Sequence, residues 1–378
     1  MNKSTHTCAF SLSLLLPMAL LLLSPQASAV TVDWVTVGNP GNACDTQTQG
    51  CFGAVAETYR ISKHEVTLGQ YAEFLNAVAE SDTHSVFNPG APGISQNGTP
   101  GNYTYSLQPG LVSRPAAFVS FYDTLRFANW MHNGQPTGAQ GNATTEDGAY
   151  TITPDGIAAN SIMRNPGATI FLASEDEWYK AAYYDAVSTS FYDYAAGSDT
   201  PMACLFPGAT PNSGNCGPAL GQSSEVGTYT ASASPAGTFD QGGNVAEWTE
   251  TISSGANRVY RGGHFFSNLI TETSASNRLE LDPIVYPFVA PFVGFRIAAS
   301  VPEPGTGLLL MMGLAGLARI GKISCGFRTA DTRQYDNQAS GGRMEKRAKN
   351  RLKQAKPGSW TGARSNVDWL NNTATTIG

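Results

Sequence analysis

The chain has 378 residues, of which only 14% are charged, and it carries 40 glycines and 22 prolines. That composition excludes a coiled coil or a bundle of long surface helices and predicts a loop-rich globular core. Charge is divided unevenly: residues 319–378 hold 12 basic and 4 acidic side chains, a balance of +8, while residues 1–318 hold 11 and 25, a balance of −14, and an acidic body argues against nucleic acid as a partner.

Residues 1–29 carry Lys3, an apolar run from about Ala9 to Leu23 and the small-residue exit Ala27-Ser28-Ala29, which is the layout of a secretory signal peptide. Export would place the chain in an oxidising compartment, where cysteines are structural pairs before they are catalysts. Cys8 leaves with the signal. Cys44 with Cys51, and Cys204 with Cys216, each bracket a short loop; four cysteines allow three pairings, and loop length favours the local one. Cys325 is left over. About 270 residues follow before the next apolar run, enough for one large core over residues 30–300.

Within that core, Tyr59 to Ala79 reads as strand, cap, helix. Ile61 and Val66 are strand-like, Thr67 is a good N-cap, and Tyr71, Phe74, Leu75 and Val78 fall along one helix face. Phe121 to Met131 predicts a second helix. A third starts at Ser174, whose spacing to Glu177 is that of a capping box, and runs to Tyr183 with Glu175, Asp176 and Glu177 in its first turn, where they suit the helix dipole.

Further on, residues 237–248, GTFDQGGNVAEW, supply the carboxylates of Asp240 and Glu247 around the glycine pair Gly242 and Gly243, which let the backbone curl so that carbonyls point inward. A hard cation such as calcium takes six to eight such oxygens. The plainer alternative is that Asp240 and Asn244 cap the turn. Arg261, in RGG at 261–263, and Arg296, in GFR at 294–296, read as buried anchors for carboxylates. Trp248 reads as core. His64, His84 and His132 have no metal-ligand spacing, and the chain contains no phosphate loop or nucleophile elbow.

At the end of the core, Val301-Pro302-Glu303-Pro304-Gly305 precedes an apolar stretch, Leu308 to Ala318, then Arg319 and Lys322. The stretch is short beside the roughly 20 residues of a spanning helix. Residues 323–378 form a basic tail without a folding pattern; Arg343 to Lys356 would hold it on the cytoplasmic side by the positive-inside bias if the apolar stretch spans, and the alternative is translated read-through of no function.

Five segments in order, YRISKHEVTLGQYAEFLNAVA, RPAAFVSFYDTLRFANWMHNG, FLASEDEWYKAAYYD, GTFDQGGNVAEWTE and RGGHFF with GFRIAAS, resemble the formylglycine-generating, sulfatase-modifying-factor domain family across residues 59–298. The resemblance implies an α+β fold of C-type-lectin-like kind, rich in loops and poor in regular structure. It also implies structural calcium held by Asp240, Gly243, Val245 and Glu247. Members that oxidise a sulfatase cysteine do so with two copper-binding cysteines after the RGG-like turn; counted forward from Gly263, those positions fall on Ser267 and Glu272. No cysteine lies between Cys216 and Cys325. Soft thiolates suit Cu(I), so copper is not expected, and the family's oxygen-dependent oxidation of protein cysteine does not transfer.

His264, Ser267, Glu272 and Arg278 then remain as candidates lining a cleft. They are compatible with a binding module for glycan or peptide, or with an enzyme, either a formylglycine-generating-type oxidoreductase with non-cysteine ligands or another metal-dependent activity, in which His264 and Glu272 act as ligands or base. The Pro-Glu-Pro end, residues 301–322, resembles a PEP-CTERM sorting signal. That implies an exosortase-type partner, transient residence in the inner membrane through the short apolar helix, and a final location in the periplasm, outer envelope or outside the cell.

Overall fold

The computed structural model describes residues 29–253, 255–267, 270–284 and 291–302. The first 28 residues of the expected signal, the apolar run Leu308 to Ala318, Cys325 and the basic tail lie outside the described residues. Among those described, no helix is long and apolar enough to cross a membrane.

The fold is α+β and loop-rich. Two four-stranded sheets carry it. In the first, the strands run in the order Trp34–Val37, Tyr59–Ser62, Ile297–Ser300, Ile170–Leu172, all antiparallel. Ile61 sits opposite Val35 on one side and Ala298 on the other, so the beginning and end of the domain meet across one central strand. In the second, the order is Leu279–Leu281, Arg258–Arg261, Ala246–Ile252, Val293–Phe295, the last pairing parallel. Here Glu247 faces Arg261 in one neighbour and Gly294 in the other. The RGG and GFR segments therefore flank the oxygen-rich loop in space.

Among the described residues, four α-helices fill the spaces: α1, Leu68–Val78; α2, Phe121–His132; α3, Pro154–Ala158; and α4, Glu175–Tyr183. Thr67, Ser120 and Ser174 cap α1, α2 and α4 with complete capping boxes, closed by Gln70, Asp123 and Glu177. Each box satisfies two amide groups that a helix start leaves without partners. The expected faces are buried: Tyr71 and Phe74 of α1 pack with Phe127 and Trp130 of α2 and with Phe295. Trp248 lies in this core between Phe121 and Tyr260, its indole donating to the Val119 carbonyl at 3.3 Å.

Both local disulfides are present, Cys44–Cys51 and Cys204–Cys216. The second closes the segment that holds Gly214 and Asn215 against the glycine turn of the oxygen-rich loop. The Asn244 amide donates to the Asn215 carbonyl at 2.8 Å, and a Cβ on Gly243 would fall 2.6 Å from that carbonyl oxygen.

Candidate functional site

The oxygen-rich loop is a left-handed curl: Asp240, Gly243 and Asn244 have φ of 64°, 125° and 58°. Only glycine takes such angles freely, with asparagine and aspartate next. The curl sets Asp240 on the Gly227 amide at 2.6 Å and encloses a cavity of about 10 Å³ lined by Ser213, Asn215, Asp240, Gly243 and Asn244. That is room for one water-sized occupant. Asn215 is buried, and its Oδ1 has no hydrogen-bond partner among the described residues.

Glu247 has a different position. It is fully buried and accepts from Arg296 Nε at 2.5 Å and Nη2 at 2.6 Å, and from Trp178 Nε1 at 2.7 Å. Arg296 also donates to the carbonyls of Ser62 and Phe239, stitching the two sheets to the loop. Around this pair stand Glu65 and Asp240. Glu65 is buried, takes Asn244 Nδ2 on Oε1 at 3.0 Å, and leaves Oε2 without a partner. Burial, then the neighbouring Asp240 and Glu247, push its carboxyl well above the usual range. Burial likewise raises Asp240 to about 6 against the pull of the Gly227 amide. Three carboxyl groups thus share one guanidinium. Burial alone would lower the pKa of Arg296; Glu247, with Glu65 and Asp240 behind it, raises it instead.

Arg261, also fully buried, pairs with Glu175 at the start of α4 at 2.7 Å and donates to the carbonyls of Ala275 and Asn277. Both arginines are therefore structural anchors.

The cleft candidates divide. His264, Ser267 and Glu272 come together. The His264 amide donates to Ser267 Oγ and the Ser267 amide to the His264 carbonyl, each at 2.8 Å, and a Cβ on Gly263 would meet the Glu272 carbonyl oxygen at 2.9 Å and Ser267 Oγ at 3.1 Å. Ser267 is buried and closes a turn with its hydroxyl. Arg278 is drawn elsewhere, to Glu175 at 2.8 Å and to Glu280. His264 lies half-buried with its ring 4.6 Å from Phe292 at 16°, beside Phe265 and Phe266. Burial lowers its pKa, and the Glu272 carboxylate opposes that only in part. Among the described residues, no group of three His, Cys, Asp or Glu side chains could hold a metal ion.

Glu65, Asn215 and Arg258 were not foreseen as parts of this framework. Glu65 carried a signal, a single carboxylate between His64 and Val66 on the way into a helix whose cap is already supplied by Thr67. Arg258 is held by Asn160 and by the carbonyls of Glu250 and Ile162 over the Phe121 ring, a set of partners distributed along the chain that no local pattern displays.

An α+β domain whose two sheets are pinned by buried arginines onto a curled, oxygen-lined loop is the class of protein defined here. Residues 40–301 match the sulfatase-modifying factor enzyme 1-like domain, and the chain belongs to that family. Residues 300–322 match the PEP-CTERM protein-sorting motif, so the protein is exported across the inner membrane to the envelope or beyond, with exosortase-type machinery acting on its end. No curated protein sequence matches the chain. Similar solved structures include CarF, 19% identical with a TM-score of 0.49 over 72% of this chain and 100% of that one. Others are the Treponema denticola variable protein 1, 17% identical, 0.46, over 73% and 97%, and PvdO from Pseudomonas aeruginosa, 17% identical, 0.40, over 71% and 92%.

Proposed function

We propose that the protein is an exported, calcium-stabilised binding module of the envelope that lacks the family's copper-thiolate oxidase chemistry. The observation that carries the reading is the surroundings of His264. At the two positions where the resemblance places thiolates stand Ser267, whose hydroxyl accepts the His264 amide, and Glu272, while the imidazole is stacked on Phe292 in a set of four neighbouring rings. Aromatic faces with a polar edge suit a sugar or an extended peptide, which they can cover without chemistry.

For calcium, Asp240, the Gly243 and Val245 carbonyls and Glu247 are the expected ligands. Asp240 and Gly243 line the cavity, while both Glu247 oxygens are taken by Arg296 and Trp178, so the fit to a hard cation rests on the first two together with Asn215. The donors are oxygen, Glu65 and Asp240 share the single guanidinium of Arg296 with Glu247, and Asn215 Oδ1 is an unused buried acceptor at the same cavity. Calcium there would supply positive charge and a fixed loop, and no reaction step. Because Glu247 is already engaged by Arg296 and Trp178, Asp240→Asn is the sharper variant. Chelation should lower the melting temperature of the parent protein and leave that of Asp240→Asn unchanged, since a ligand that binds only the folded state stabilises it by mass action. A parent melting curve indifferent to chelator would reduce the carboxylates to turn caps.

The competing reading is a metal-dependent enzyme, favoured by the electrostatic proximity of Glu272 to His264. Elemental analysis of the purified protein decides between them. Calcium alone, with no oxygen uptake on a Cys-x-Pro-x-Arg peptide, supports the module; tightly bound copper or iron lost in His264→Ala overturns it.

A further inference from the structure

Beside the His264 rim, but sharing none of the cleft candidates, lies a second cavity of about 210 Å³. Its walls are apolar: Leu68 at the start of α1, Leu111, Phe118, Phe265 and Pro291. Into this lining the chain places one cation, Arg114. The backbone of Arg114 is fixed, its amide on the Leu111 carbonyl at 3.1 Å and its carbonyl accepting from the Leu68 amide at 2.8 Å. Its side chain, in contrast, has no acidic or carbonyl partner among the described residues, and the buried Nε makes no hydrogen bond. Arg126, Arg164, Arg261, Arg278 and Arg296 all pair with carboxylates, and Arg258 is held by Asn160 and carbonyls. Arg60, whose Nε is likewise without a hydrogen bond, lies over the Trp34 ring and away from this cavity. A buried guanidinium N–H without an acceptor is destabilising.

A second feature points to the same place. Phe118, on the cavity wall, has φ of 60°, a left-handed conformation that a bulky side chain rarely adopts, and its carbonyl is held by Asn88 Nδ2 at 3.1 Å. Backbone strain of this kind persists where the surroundings impose it, and it clusters at ligand sites. Gln222 and Ser223 add polar groups at the cavity wall. An apolar pocket with a few converging polar groups and one unpaired guanidinium selects a ligand by its chemistry. A planar anion satisfies the fork of donors, and an apolar body fills the remainder.

We propose that this cavity binds a small organic carboxylate with an apolar body, the carboxylate on Arg114 and the body against Leu68, Leu111, Phe118 and Phe265. The inference goes beyond the binding-module reading, because the cavity lies apart from His264, Ser267, Glu272 and Arg278. Such a carboxylate exists as a free acid or as the C-terminus of a peptide, and the two sources are separable. Calorimetric titration of the full exported protein with N-acetyl-leucine, with a short peptide ending in leucine and with uncharged N-acetyl-leucinamide should show at least one acid binding tenfold or more tighter than the amide. The preferred acid identifies the source. Arg114→Met should lose that advantage and Arg114→Lys regain part of it. If Arg114→Met does not melt cooperatively, Leu111→Trp, which fills the cavity and keeps the guanidinium, should abolish binding instead. Equal affinity for acid and amide, no binding of either acid, or unchanged binding in the folded Arg114→Met variant overturns the proposal. Such a failure alongside glycan or peptide binding that depends on Phe266 and Phe292 would leave the module reading intact. Copper or iron at His264 would remove that reading without altering the titration.

Discussion

At the scale of single residues, Glu247 shows how a position assigned to a metal can be held by protein groups as well. Breaking a fully buried ion pair leaves an uncompensated charge, and Glu247→Gln should cost about 3–5 kcal/mol by denaturant unfolding, with or without calcium. A loss below about 1 kcal/mol would mean that Arg296 is served by Glu65 and Asp240 instead. His64 yields a pH prediction. Burial, with Arg296 and then Lys63 nearby, holds its pKa at about 4 rather than 6.5. The unfolded chain therefore takes up the proton first as pH falls. The stability is complete above pH 6.5 and is lost as pH drops through 4, by on the order of 1 kcal/mol once solvent screening of a half-buried ring is allowed for. Asp123, raised to about 6 by burial, acts in the opposite direction, gaining stability as pH falls from 6 towards 3.8. The comparison must thus be made between the parent and His64→Gln; a difference in stability that stays constant from pH 4 to 8 would refute it.

At the scale of elements, the three helices with capping signals were legible because a cap and an apolar stripe are local. Thr67, the Phe121 start and Ser174 stand where the spacing puts them, and α2 extends one residue past the expected Met131. The short helix α3 was not legible. Thr153 caps it and Pro154 occupies its first turn, yet five residues are too few to display a period, and none of its side chains is buried. Ser174→Ala should cost about 1 kcal/mol, because its hydroxyl accepts the Glu177 amide at a helix start that also positions Glu175 under Arg261. A smaller effect at the exposed Thr153 cap is the internal control. The Cys204–Cys216 bridge closes a 12-residue separation, and the paired variant Cys204→Ser, Cys216→Ser should lose about 2–4 kcal/mol and with it part of the chelator sensitivity, since Asn215 flanks the loop. An unaltered response to chelator would detach the bridge from the loop.

At the scale of the molecule, the family frame could be read from ordered segments, because each contains turn, cap or anchor residues whose spacing is fixed by backbone geometry. The pairing of strands could not. The register of Ile61 with Ala298 joins residues more than two hundred positions apart, and no local pattern encodes such a contact. The cavity at Arg114 was missed for the same reason: its lining comes from α1, the segment before α2 and the turn after RGG, and a lone arginine among prolines and alanines carries no visible sign of lacking a partner.

The central place of Ile297–Ser300 in the first sheet also constrains when this protein can fold. A chain emerging from a membrane channel presents its amino end first, but here the strand that joins Tyr59–Ser62 to Ile170–Leu172 is the last to appear, and the sorting motif begins at its final residue. Nearly the whole domain must wait on the outside, incompletely closed, until the segment that marks it for cutting has arrived. A chain ending at Arg296 should accordingly show no cooperative melting transition, whereas one ending at Pro302 should fold. The strand that completes the sheet and the motif that marks the chain for cutting are thus neighbours in the chain, and the domain has all of its sheet residues outside by the time the motif follows.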